Sequence, residues 1–136
     1  MAELLVPISP GELIDKITIL EIKSERMTDP AKLLNVRTEL TLLNETWRAS
    51  AYSATDIEAE WAGLRGVNTQ LWDIEDLIRD KERAGEFDGE FIRLARAVYV
   101  TNDERAAIKK RINVKLGSSL VEEKSYKDYK PGAAIS

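Results

Sequence analysis

Four helix-start signals, at Ser9-Pro10, Thr28-Asp29-Pro30, Thr55-Asp56 and Asp88, cut the chain into helical segments and leave no stretch free for a sheet. Ser9 stands as an N-cap, Pro10 takes the first helical position, Glu12 closes a capping box, and Ile8 staples to Leu13. Helix 1 therefore begins here and runs to about Met27. Asp29 and Pro30 restart the chain as helix 2, which continues to about Ser50, and so short a connection makes the pair a hairpin. Thr55-Asp56-Ile57-Glu58 is a second capping box, opening helix 3, which ends at Ala84 before the stop at Gly85. Gly63 and Gly66 weaken its first half, each costing about 1 kcal/mol relative to Ala, and a kink or break is expected there. Asp88 caps helix 4, which runs to about Leu116 and stops at Gly117-Ser118-Ser119. Strand-like alternation is absent after the first eight residues. The expected class is all-α: a four-helix bundle built from two hairpins, two shorter helices followed by two longer ones. Residues 1–119 are expected to form one helical domain, and 120–136 a largely irregular tail laid on the bundle by Tyr126 and Tyr129.

The 136 residues include neither Cys nor His, which excludes disulfides, thiolate nucleophiles, the usual zinc sites, haem and Ser-His-Asp triads. Chemistry is left to carboxylates, Lys, Arg, Tyr and hydroxyls, and no cofactor is expected. Glu12 with Asp15, and Asp73 with Asp76, have a spacing that can present two carboxylates to magnesium. Such pairs are common on solvated helices, so no metal site is assigned. No apolar run is long enough to span a membrane, and Met1 to Ile8 lacks a basic leader, so a cytoplasmic protein is expected. A net charge of -4 argues against a general nucleic-acid binder. Lys109-Lys110-Arg111 with Arg105 and Lys115 spread around a helix rather than forming a stripe.

Residues 55 to 87 hold nine acids and four bases, whereas residues 88 to 116 hold four acids and seven bases. Helices 3 and 4 are thus complementary antiparallel neighbours, each roughly 40 Å long and overhanging the shorter first pair. Helix 1 carries Ile19 and Ile22 opposite its main stripe of Leu13, Ile17, Leu20 and Met27. Overhang and second stripe together point to a homodimer, or else to the tail packing over them.

Projecting each helix at about 100° per residue exposes polar residues inside apolar stripes. On helix 4 Arg105 falls near the centre of the face of Phe91, Leu94, Val98, Ile112 and Leu116, with Asn102 and Lys109 beside it. Helix 3 carries Asn68, Glu75 and Arg79 along one flank, next to Trp61 and Trp72. Helix 1 places Glu21 next to Ile14 and Ile17, and helix 2 carries Arg37 and Asn44 beside Leu33, Val36, Leu40 and Leu43. A buried cation needs an internal partner or an outside anion. Either Arg105 pairs with Glu75 or Glu21, and Arg79 with Glu75, as a structural network, or these groups line a pocket between helices. The four cations against two carboxylates favour an anionic ligand for such a pocket.

The run Pro7-Ile8-Ser9-Pro10-Gly11-Glu12-Leu13-Ile14-Asp15-Lys16-Ile17-Thr18-Ile19-Leu20-Glu21-Ile22-Lys23 resembles a bacterial family of small domains of unknown function. The resemblance continues through Leu71-Trp72-Asp73-Ile74-Glu75-Asp76, Phe87-Asp88, Asn102-Asp103, Lys109 and Val121-Glu122-Glu123-Lys124-Ser125-Tyr126, nearly the whole chain. It implies kinship and no reaction. The candidate ligand-binding residues are Glu21, Arg37, Asn68, Glu75, Arg79, Asn102, Arg105 and Lys109. The expected function is a helical binding or interaction module, homodimeric, with an inter-helix pocket for a small anion. The alternative is a cofactor-free enzyme on a small anionic metabolite, like a helical chorismate mutase in architecture only, using Arg105, Lys109, Arg37 and Glu75.

Overall fold

The computed structural model describes residues 3–130. In them the chain forms α1 (Pro10–Arg26), α2 (Pro30–Ala49), a 3₁₀ turn (Ala51–Ala54), α3 (Glu58–Ala84) and α4 (Gly89–Leu116). The architecture is all-α with four helices. Three of the starts use a side-chain cap: Ser9 Oγ accepts from the Glu12 N–H at 3.2 Å, Asp29 Oδ1 from Ala31 at 3.0 Å, and Asp88 Oδ1 from Phe91 at 3.0 Å. Gly85 and Gly117 end α3 and α4 in the left-handed region, φ 67° and 68°, where a Cβ would be strained.

Two local expectations are corrected. The capping box at Thr55 does not form: Ile57 takes the N-cap position and is buried in the core, while Asp56 Oδ1 accepts from the Glu58 N–H at 2.9 Å. Burial of an isoleucine has won over a hydroxyl cap. Helix α3 also runs unbroken through Gly63 and Gly66. Gly63 faces α4, where a Cβ would lie 3.7 Å from Ile108 Cδ1, so packing against α4 supports the helix across its weak stretch.

Helix α1 is the centre of the molecule, packed against α2, α3 and α4. Leu13, Ile14, Ile17, Leu20 and Ile22 are all buried, so this helix is apolar on most of its circumference because it is enclosed. Its Ile14 and Ile17 join Ile57, Leu64, Val67, Leu71, Ile108 and Ile112 in one core cluster. Each fully buried residue of this kind stabilises by about 1.5–3 kcal/mol. Ile22, only 2% exposed within one chain, needs no second copy to cover it. Ile19, the other residue of that second stripe, is half-buried.

Helix α2 is peripheral: Val36 is its one buried residue, with Leu40, Leu43 and Trp47 resting against the core. Helices α3 and α4 are neighbours, as their charge predicts, with an apolar contact flanked by two ion pairs, Lys115 with Glu60 at 2.9 Å and Lys81 with the α4 cap Asp88 at 3.0 Å. Their far halves extend past α1, with Leu94 buried between them and Leu77, Phe87 and Ile92 exposed. After Gly117 the described chain has no further helix. It is fastened to α4 by ion pairs from Glu122, Glu123 and Lys124 and by Tyr129, which meets Tyr99 edge-to-face at 4.9 Å, whereas Tyr126 is exposed. Residues 131–136 of the expected tail lie outside the described residues.

Candidate functional site

Positions 105, 109 and 113 are one turn apart and share a face of α4, and 11, 12 and 15 occupy the first two turns of α1. Because the two helices run antiparallel, these residues meet as three successive rungs. The Gly11 N–H donates to Asn113 Oδ1 at 2.7 Å, the Lys109 ammonium meets Glu12 Oε2 at 2.7 Å, and Arg105 Nε stands 3.6 Å from Asp15 Oδ1. Helix α3 adds Asn68, whose Nδ2 donates to Asp15 Oδ1 at 2.9 Å and to Thr18 Oγ1 at 3.0 Å. Thr18 Oγ1 in turn donates to the Asp15 carbonyl at 2.8 Å. Asp15, Thr18, Asn68, Lys109 and Asn113 are all buried, so this is a satisfied polar seam inside the core.

The seam's electrostatics follow from its geometry. Burial works against the charge on Lys109, but the carboxylates of Glu12 and Glu122 outweigh it and hold its pKa above the ordinary lysine value. Burial likewise pushes Glu12 up, and the Lys109 ammonium, helped by Lys16 and Arg105, more than reverses this, leaving its pKa below the ordinary glutamate value. Instead of turning back to close its capping box, the Glu12 carboxylate has gone to Lys109.

The seam opens onto a cleft of about 1340 Å³ between α3, α4 and the segment that follows α4. Of the residues expected at a site, Asn68, Glu75, Asn102, Arg105 and Lys109 line this cleft. Glu21, Arg37 and Arg79 do not. Glu21 lies under α3 near Trp61, whose Nε1 donates to it at 3.3 Å, and 3.8 Å from Arg65. Arg37 is exposed on α2. Arg79 pairs with Glu75 at 3.2 Å, as its spacing predicts, but its side chain is out in solvent. Arg105 pairs with neither Glu75 nor Glu21; its partner is Asp15, from the helix that encloses the seam. Of the residues named for the enzyme alternative, Arg105, Lys109 and Glu75 line the cleft, and Arg37 stands apart on α2.

Sequence reasoning also missed Gly11, Asp15, Thr18, Asn113 and Glu122. Two of the seam's acids, Glu12 and Asp15, were visible as a pair, but their spacing was read against magnesium rather than against the reversed spacing of Arg105 and Lys109. With both acids behind the cations, the apparent surplus of positive charge shrinks. What remains open is Arg105: its side chain is 32% exposed, it lines the cleft, and no described residue accepts a hydrogen bond from it.

Residues 4–134 match a family described as of unknown function, DUF6165. The chain belongs to that family. No curated protein and no solved structure matches it. In this DUF6165 chain the matched span takes in all of α1, α3 and α4, and so the entire seam and cleft. None of its described helices is long and apolar enough to cross a membrane. What the DUF6165 cleft offers chemically is a steadied guanidinium at Arg105, the carboxamide of Asn102, an apolar wall at Leu71 and Trp72, and the carboxylates of Glu75, Asp76 and Asp103.

Proposed function

We propose that this chain is a binding module that holds a small anionic ligand in the cleft beside α3 and α4, anchored on Arg105. The observation that carries the reading is the state of that guanidinium. Asp15 steadies its Nε from the buried side, and its remaining donors are left unused by the described residues. A planar fork of donors beside a cleft suits the two oxygens of a carboxylate or phosphate group. Clefts between helices, part apolar with a few convergent polar groups, are common ligand sites.

A thermal-shift screen of wild type and Arg105→Ala against nucleotides, sugar phosphates, nucleotide sugars and dicarboxylates tests this. A ligand at 100 times its Kd adds about 2.7 kcal/mol, a rise of several degrees for a domain of this size. Wild type should respond to at least one anion, and Arg105→Ala should not. A panel that leaves the wild-type melting temperature unmoved would count against the proposal.

A further inference from the structure

The segment after α4 doubles back along that helix. Glu122 meets Lys109 at 2.9 Å, Glu123 meets Lys110 at 3.4 Å, and Lys124 meets Asp103 at 2.7 Å. The two glutamates are well exposed, 63% and 75%. Exposed ion pairs are weak and screened by salt, so a segment fastened in this way opens easily. Lys109 itself is different. It is 8% exposed and is held from behind by Glu12, so its ammonium stays in place whether or not Glu122 is there. Lys109 and Arg105 sit one turn apart on α4, about 6 Å between their Cβ atoms, and both line the cleft.

We infer that Glu122 is a built-in occupant of a second anion subsite. The inference rests on the anion-binding reading above and extends it: the full ligand carries two acidic groups, one on Arg105 and the other on Lys109 in the place Glu122 holds. Residues 118–130 are then a strap that the ligand displaces. A ligand with one acidic group reaches Arg105 and leaves the strap shut, so the strap selects for a second charge. Glu122 is only six residues past the end of α4, and a tethered carboxylate competes at high effective concentration. Neutralising it should therefore tighten the binding of a doubly acidic ligand, by roughly the two- to fivefold that one exposed ion pair supplies.

The test compares wild type with Glu122→Gln in two measurements. Calorimetric titration uses inorganic pyrophosphate, with two acidic groups, and inorganic phosphate, with one. Trace labelling with acetic anhydride, read peptide by peptide, reports access to the Lys109 amine without any ligand. The expected result is faster Lys109 labelling in Glu122→Gln, tighter pyrophosphate binding, and unchanged phosphate binding. Lys109 labelling that is the same in both proteins overturns the strap. Pyrophosphate bound equally by both proteins overturns the competition while leaving the anion-binding reading intact. Faster labelling with pyrophosphate bound by neither protein overturns the assignment of the second subsite and counts against the anchor on Arg105 as well.

Discussion

Gly11 and Asn113 close one end of the polar seam: the Gly11 N–H donates to Asn113 Oδ1 at 2.7 Å, across 102 positions of sequence. The N–H belongs to the first turn of α1, where it has no acceptor within the helix, so a side chain of α4 completes the N-terminus of α1. The approach is so close that a Cβ on Gly11 would lie 2.5 Å from the Lys109 carbonyl oxygen, a backbone atom that cannot swing away. Gly11→Ala should cost about 2–4 kcal/mol, measured as a lowered midpoint in urea. Gly66→Ala is the control. With nothing within 4 Å of its Cβ and a helical backbone, it should stabilise by about 1 kcal/mol.

The Glu12–Lys109 pair predicts a pH window. A glutamate whose folded pKa is depressed stabilises above its ordinary value, 4.5, and the contribution disappears as pH falls through the lower folded value. A lysine whose folded pKa is raised stabilises below 10.5 and loses the effect as pH rises through the higher folded value. The pair should therefore act fully between these limits. Urea midpoints of wild type and Glu12→Gln, followed from pH 7 to pH 3, should converge in acid.

Asn68 serves Asp15 and Thr18 together, and Asn68→Asp would set a second carboxylate against a buried one. At neutral pH the cost should be about 3 kcal/mol, the scale of an uncompensated buried charge. The repulsion raises a folded-state pKa, so the penalty should fall as pH drops and one carboxylate takes up a proton. A deficit that does not change with pH would mean that lost packing, not charge, is responsible.

At the start of α3 the two neighbouring candidates for a cap can be separated. Asp56→Ala removes the acceptor of the Glu58 N–H and should cost about 1 kcal/mol, whereas Thr55→Ala should stay within about 0.5 kcal/mol of wild type. Thermal or urea midpoints of the two variants decide it.

Arg105→Ala should lower stability by about 1–2 kcal/mol, less than for a fully buried pair, because the guanidinium is a third exposed and Asp15 keeps its hydrogen bond from Asn68. Arg37→Ala and Arg79→Ala remove exposed groups away from the cleft and should change neither stability, beyond about 0.5 kcal/mol, nor any thermal response to anions.

These residues also show what can be read from sequence. Helix limits were legible because they depend on neighbours in the chain: Ser9, Asp29 and Asp88 cap as their local sequence dictates, and Gly85 and Gly117 stop the helices they follow. Arg105 and Lys109 stood out for a similar reason, as charged groups on an apolar stripe. Their partners did not, because pairing Asp15 with Arg105 requires knowing that α1 runs antiparallel to α4 and in what register. Ile22 was misread for the same reason. An apolar residue on the far side of a helix means a second surface if the helix is peripheral, and a second wall of core if it is central. Arg37 shows the converse, since a polar flank on α2 looks like a site only if α2 is taken to be as enclosed as α1.

The enclosure of α1 has a consequence for the order in which the molecule can be made. Its partners on α4 are about a hundred positions downstream, so a growing chain emerges with Ile14, Ile17 and the carboxylate of Asp15 all wet. The α1–α2 hairpin can form early, but α2 contributes only Val36 as a buried residue, with Leu40, Leu43 and Trp47 partly covered. The core closes only once residues 105 to 113 have been synthesised and α1 has been wrapped by α3 and α4. Folding is therefore tied to late, long-range contacts, which slow helical proteins that would otherwise fold fast. Until then the apolar face of α1 is the segment most in need of a chaperone.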